Sequence, residues 1–160
     1  MAAPDLFQEL MGLCVALAAR KIGYAVCGGL ALAVHGFPRA TKDIDLLVEE
    51  SSLREVCEVA RTCGFTLRGA DLEFKSGQRM ARLIKPLPPG EDFLMLDLLL
   101  VEKNNRLAWE TRQAVETSSG LIHVVSYEGL KAMKRQRNSL QDQADIQRLE
   151  DAQNGRSNEP

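Results

Sequence analysis

The chain contains no apolar run long enough to span a bilayer. It also has no marked excess of either charge, with 20 Lys and Arg against 22 Asp and Glu and a formal net charge of -2. That balance, with a pI near 5.8, excludes a general nucleic-acid coat and a basic membrane-surface protein, although a local basic cleft remains compatible with it. Cys14, Cys27, Cys57 and Cys63 lack CxxC spacing and companion histidines, so no zinc site or redox pair is indicated. Each lies in an apolar-periodic stretch, where a free cysteine behaves as a small buried hydrophobe. The opening MAAPDLFQEL lacks the charged start, apolar centre and cleavage site of a secretory signal. A reduced, cytoplasmic setting is the expectation. No internal repeat or low-complexity tract interrupts the chain.

What is present suits one globular domain. A length of 160 residues with 45% hydrophobic and 26% charged residues is enough for a real core at ordinary composition. Asp5 followed by Gln8 predicts the start of a helix over 5–19. A short strand over 24–27 ends at Gly28-Gly29, and a helical turn or two over 30–35 is broken by Gly36 and Pro38. A second strand covers 44–48. Ser52 with Glu55 predicts a capping box for a helix through Cys63, stopped by Gly64. A short strand is expected over 65–67. Strands over 79–84 and 93–101 flank the turn-rich PLPPGED as a hairpin. A helix is expected over 106–117, a strand over 122–125, a helix capped by Ser126 that carries Lys131 and Lys134, and a last helix over 140–151.

The expected architecture is α+β, a small mixed and mostly antiparallel sheet flanked by helices. It reads as a single domain over 1–151: an N-terminal helix at 5–19, a core at 24–101 and a C-terminal strand and helices at 106–151. A flexible tail follows at 152–160.

The chemistry concentrates in three aspartates. Asp43 and Asp45, in KDIDLLVEE, stand at i and i+2, so on a strand both face one way, with Cα atoms about 6.6 Å apart. At that separation two carboxylates repel by roughly 2.5–3 kcal/mol at an effective dielectric near 20. Asp97 is alone inside FLMLDLLLV, the look of a strand covered on both faces. A carboxylate there is destabilising unless neutralised or paired. Three carboxylates able to converge raise one another's pKa values, and a divalent cation relieves that repulsion. Hard oxygen ligands with phosphate partners are the preference of Mg²⁺. Gly28-Gly29, between a strand and a short helix, allows close backbone approach and presents N–H groups to phosphate oxygens. Arg39, Thr41 and Lys42 precede the aspartates and are placed to steer polyphosphate.

With these residues in hand, GGLALAVHGFPRATKDIDLLV resembles the DNA-polymerase-β-like nucleotidyltransferase superfamily. That pattern is Gly-Gly or Gly-Ser after a hydrophobic residue, a spacer, then Asp-hydrophobic-Asp-hydrophobic. A third carboxylate on a later strand belongs to the pattern, and Asp97 fills it. The tail LKAMKRQRNSLQDQADIQRLE is similar to that of the small bacterial AbiEii, MNT and lincosamide-nucleotidyltransferase group. Lys131, Lys134, Asp142, Asp145 and Ile146 match, whereas Gln141 stands where a basic residue is common. The resemblance implies a sheet with helices on one side and the active site at the sheet edge.

It also implies Mg²⁺-dependent transfer of a nucleoside monophosphate from an NTP to a hydroxyl acceptor, with pyrophosphate released. Asp43, Asp45 and Asp97 would be the catalytic and metal-binding residues, holding two Mg²⁺ ions. Gly28, Gly29, Arg39, Thr41, Lys131 and Lys134 would bind the nucleotide. A small-molecule acceptor, such as an antibiotic, is the expectation. The alternatives are a toxin–antitoxin enzyme acting on tRNA or a partner protein, and a non-catalytic nucleotide-binding module of the same fold. A homodimer or partner protein could complete the cleft.

The remaining polar residues have simpler readings. His35 reads as a packed, hydrogen-bonded histidine, His123 as a solvent-facing strand position and Trp109 as a helix anchor. Arg79, Arg82 and Lys85 read as an exposed strand face, with an acceptor groove as the alternative.

Overall fold

A computed structural model of the chain describes residues 5–157. The first four residues of the segment inspected for a secretory signal, and residues 158–160 of the expected tail, lie outside it.

Helix α1, Leu6–Ala19, starts where the sequence predicts. Asp5 is extended and its side chain accepts from the Phe7 and Gln8 N–H groups, satisfying two otherwise unpaired donors. The helix buries Leu10, Leu13, Cys14 and Leu17. Strand β1, Ala25–Cys27, runs directly into helix α2, Gly28–Val34. Strand β2, Asp43–Val48, is followed by a 3₁₀ turn at Glu50–Ser52 and by helix α3, Leu53–Thr62. Ser52 makes no capping hydrogen bond there. Its dihedrals (φ -98, ψ -6) are already near-helical, so its hydroxyl cannot fold back over the first turn as that of an extended residue does. Gly64 ends α3 at φ +97. The Phe65 N–H then returns to the Ala60 carbonyl, an arrangement that fits a left-handed glycine cap.

That bond and the complete burial of Phe65 move the next strand on, so β3 is Leu67–Arg68. A further short strand, β4 (Leu72–Glu73), carries no alternating signal and is not predicted by the sequence. Strands β5, Arg79–Leu87, and β6, Asp92–Leu100, form the expected hairpin. The helix predicted over 106–117 is only partly present. Helix α4 covers Arg106–Glu110, and Gln113–Thr117 is strand β7, paired antiparallel with β8, Gly120–Val124. Two serines and Gly120, at φ +132, make the hairpin turn, and this pairing overrides the local helical pattern. Helix α5, Tyr127–Arg137, is capped by Ser126, which accepts from the Gly129 N–H, and is terminated by left-handed Asn138 at φ 51. Helix α6, Leu140–Ser157, continues past the Asp151 expected as its end.

The strands form one mixed sheet in the order β3-β5-β6-β2-β1-β8-β7, with β4 also on β5. Most pairings are antiparallel; β2 with β6 and β1 with β8 are parallel. The candidate aspartates therefore lie on the central strands β2 and β6, not at an outer strand of the sheet. Alternation along β5 separates the two faces. Arg82 reaches Asp97 on one, while Lys85 reaches Glu9 of α1 on the other. Helix α1 packs with α3, β2 and β8, and α5 packs with α2, α4 and α6. Leu46, Leu96, Leu98 and Ile122 are fully buried among these elements.

Candidate active site

The parallel register of β2 and β6 sets Asp45 directly beside Asp97, and Asp43 beside Met95. Asp43 and Asp45 are half-buried; Asp97 is 4% exposed. Burial raises the Asp45 pKa to about 7, and the charges of Asp97 and then Asp43 add to the rise despite Arg137 and Lys134. Asp43 is raised too, by burial and then by Asp97, with Arg82 and Lys42 opposing. The mutual repulsion expected from the sequence is thus a property of the fold.

Asp97 has a compensating partner. Arg82, opposite it on β5, donates Nε–H to Oδ1 at 2.7 Å and Nη2–H to Oδ2 at 3.1 Å. This fork accounts for both carboxylate oxygens, and it raises the Arg82 pKa further. Among the described residues no group of three acidic, histidine or cysteine side chains is gathered to hold an ion. The donor set nevertheless suits a hard divalent cation, because the aspartates destabilise one another's charged forms and are all oxygen ligands.

The glycines at the start of α2 are required by these side chains. Gly28 is left-handed at φ +66, and a Cβ on it would lie 2.8 Å from Asp45 Cγ and closer still to Oδ2. A Cβ on Gly29 would lie 2.9 Å from Thr41 Cβ and Oγ1. Only a glycine pair lets the β1–α2 turn pass this close beneath Asp45 and Thr41.

Helix α5 contributes Lys134 and Arg137, each held by a buried acid of α6. Lys134 Nζ lies 2.9 Å from Asp145 and 3.8 Å from Asp142. Arg137 binds Asp142 through Nε at 2.8 Å and Nη2 at 2.7 Å. Arg39 Nε lies 3.2 Å from Asp145 Oδ1 yet has no hydrogen-bond partner there. Gln141, at the position where the family pattern favours a base, donates to Asp145 at 2.8 Å. Burial pushes the Asp142 pKa up, but bonds from Arg137 and Ser139 outweigh it and leave it lowered. Asp145 is lowered in the same way, chiefly by Lys134 and Gln141. Both acids therefore stay ionised and fix the cations around them.

The three candidate aspartates, the glycine pair and the cations, but not the Asp142 and Asp145 that hold those cations, line a cavity of about 300 Å³. Gly28, Gly29, Arg39 and Thr41 stand on the β1 side, Asp43, Asp45 and Asp97 lie between, and Lys134 and Arg137 come from α5. On the β5 side the lining continues through Arg82, Met80, Leu99 and Phe74. Lys131 is not brought here. It is buried beside the Tyr127 ring, 5.3 Å from its centroid, with Glu128 at 3.8 Å.

The sequence does not single out Arg82 as the partner of Asp97, nor Arg137 as a lining residue. The first was recoverable, since folding the hairpin about Pro89 and Gly90 sets residue 82 against 97. Arg137 carries no such signal, because it depends on how α5 docks. Arg79 pairs with Glu50 and Glu102, and Lys85 with Glu9, so neither lines the groove. His35 Nε2 lies 2.9 Å from the Val125 carbonyl oxygen, a packed histidine as expected. His123 meets the Tyr24 ring edge-on. Trp109 is buried under Arg112. All four cysteines are free, and three are buried.

No family model and no curated protein matches the chain. Solved structures do. A candidate nucleotidyltransferase from Thermotoga maritima superposes with a TM-score of 0.59 at 17% identity, covering 98% of this chain and 94% of that one. ANT(2'')-Ia, solved with adenylyl-2''-tobramycin, gives 0.54 at 16% identity over 89% and 87% of the two chains. JHP933 from Helicobacter pylori gives 0.53 at 12% identity, over 80% of this chain and 53% of its own. The fold is the nucleotidyltransferase fold, a mixed α+β architecture. Among the described residues no helix is long and apolar enough to cross a membrane.

Proposed function

We propose that this chain is a divalent-metal-dependent nucleotidyltransferase, moving a nucleoside monophosphate from an NTP to a hydroxyl acceptor with release of pyrophosphate. One observation carries the reading. Asp45 lies beside Asp97 on adjacent parallel strands, with Asp43 on the same face, in a cavity whose other charged residues are all cations. The fold shared with nucleotidyltransferases supports it.

Asp43, Asp45 and Asp97 are the side chains that would hold Mg²⁺. Bound there, the metal would supply positive charge to the oxygens around the reacting phosphorus. The protein's own residues have distinct tasks. Lys134, Arg137 and Arg39, held by Asp142 and Asp145, neutralise the β- and γ-phosphates and the departing pyrophosphate. Gly28 and Gly29 admit the phosphates close to the backbone. Asp97 accepts or orients the proton of the attacking hydroxyl. Arg82 must swing off Asp97 before that carboxylate becomes available, so it orients Asp97 and covers it until substrate arrives.

The test is nucleotide-dependent stabilisation. ATP, GTP, CTP and UTP are titrated with and without Mg²⁺, following thermal unfolding of the wild type and of the Asp43→Asn/Asp45→Asn double variant. A Mg²⁺-dependent rise in the wild type, absent from the double variant, is the expected result. Equal responses, or none in the wild type, sink the proposal.

A further inference from the structure

The sheet face that carries the aspartates continues beyond the cavity. Register sets Leu67, Ile84 and Met95 in one row across β3, β5 and β6, with Asp43 at its end on β2. Pro86 and Phe93 form the next row. Arg82 and Asp97 stand two residues from Ile84 and Met95, so all five apolar side chains share their face. None of the five lines the cavity. Leu67 and Phe93 are each 53% exposed, Pro86 is exposed, and Ile84 and Met95 are half-buried. On the opposite face the same hairpin buries Leu83, Leu94 and Leu96. One side of the hairpin is therefore packed and the other open. A contiguous apolar patch left open on a folded surface marks a contact surface.

The patch holds no charge of its own, and the charges that flank it are sorted by end. Strand β5 begins after the turn that carries Lys75 and ends before the turn that carries Glu91; both residues are exposed. Arg79 is held by Glu50 and Glu102, Arg68 by Asp71 and Lys85 by Glu9. Lys75 and Glu91 are left without an ion pair among the described residues. Glu73 and Asp92 alternate with Leu72 and Phe93, so they point to the other face.

Two copies can lay this patch on itself about a two-fold axis in the interface plane. An axis along the strands would set like charges together, Lys75 on Lys75 and Glu91 on Glu91. An axis across the strands exchanges the ends of β5 and sets each Lys75 against the partner's Glu91, the favourable pairing. A polyanion would find no cation inside the patch and would meet Glu91 at its end, so the charges favour a second copy over a nucleic acid.

We propose that this patch is the interface of a homodimer, in which two sheets pack face to face, about 10 Å apart, with their β5 strands antiparallel. Phe93 is its apolar anchor. Because Asp43 ends the Leu67, Ile84 and Met95 row, the second copy stands against the Asp43 side of the candidate site. The dimer does not depend on nucleotidyl transfer, and its test needs no substrate.

The experiment is sedimentation velocity of the full chain over a concentration series, without metal or nucleotide. The expected result is a reversible monomer–dimer equilibrium. Phe93→Glu should leave the chain monomeric, with a melting temperature at low concentration close to that of the wild type, since the ring is already half exposed. Lys75→Glu and Glu91→Lys should each weaken the dimer about tenfold through two equivalent pairs. The double reversal Lys75→Glu/Glu91→Lys should restore it. A wild type that is monomeric at every concentration overturns the proposal. So does a dimer that persists in Phe93→Glu, because its interface lies elsewhere. Single reversals without effect, or without recovery in the double reversal, reject the antiparallel arrangement. An unstructured RNA that co-sediments with the wild type and not with Phe93→Glu would assign the face to nucleic acid and overturn the dimer.

Discussion

Arg82 Nε lies 2.7 Å from Asp97 Oδ1, and Nη2 lies 3.1 Å from Oδ2, so one guanidinium covers the whole carboxylate edge. The pair answers the question that an aspartate in a leucine-rich strand poses. Asp97 is tolerated because the neighbouring strand of the hairpin supplies its counter-charge.

Arg82→Gln should therefore destabilise the metal-free protein by about 3 kcal/mol, the cost of leaving a buried carboxylate unpaired. The same change frees Asp97, so added Mg²⁺ should stabilise the variant more than the wild type. Chemical denaturation with and without Mg²⁺ measures both effects. A variant as stable as wild type without metal would mean that the pair does not hold Asp97.

Gly28→Ala should both destabilise and inactivate. A left-handed backbone costs a non-glycine residue about 1–2 kcal/mol, and the added Cβ would push Asp45 out of place. Gly36→Ala is the control, because Gly36 is also left-handed, at φ +93, with nothing within 4 Å of its Cβ. Melting temperatures should fall in both variants and further in Gly28→Ala. Equal falls would show that the Asp45 contact contributes nothing.

Asp45 makes stability depend on pH. Its folded pKa, about 7, lies above the ordinary value of 3.8, so the folded state binds its proton more tightly than the unfolded one. Stability is then fully present below the ordinary value, falls as pH rises through that window and levels off above the folded value. Asp43 is shifted in the same direction. Asp45→Asn should melt above wild type at pH 8 in the absence of metal and match it near pH 4. A constant difference across that range would contradict the shift.

Lys134 and Lys131 should separate under mutation. Lys134 lines the cavity and Lys131 does not, so Lys134→Met should weaken Mg²⁺–NTP binding about tenfold or more and Lys131→Met should leave it nearly unchanged. Asp145→Asn should act like a weaker Lys134 variant, since Asp145 holds both Lys134 and Arg39. Isothermal titration with an unreactive NTP analogue distinguishes the three. Equal losses at both lysines would place Lys131 in the site after all.

Local signals account for much of the fold. The Asp5 cap, the Gly64 stop, the Ser126 cap and the strand on each side of PLPPGED are all specified by residues within a few positions of the element they control. The failures share a cause. Gln113–Thr117 is a strand because β8 is there to pair with it, and Ser52 is no cap because a 3₁₀ turn has already made it near-helical. Neither partner nor turn is written within the segment itself.

The site divides along the same line. The i, i+2 spacing of Asp43 and Asp45, the apolar setting of Asp97 and the Gly-Gly turn are matters of strand periodicity and backbone freedom, which the amino-acid order specifies directly. Which charges meet is a matter of distance, and distance between remote segments exists only once the sheet has closed. The parallel register of β2 and β6 places Asp45 beside Asp97, the hairpin assigns Arg82 to Asp97, and the docking of α5 on α6 brings Lys134 and Arg137 to the cavity while leaving Lys131 outside it. Local order names the carboxylates; only the packed fold assigns their partners, because Coulomb energy depends on separation in space and not along the chain.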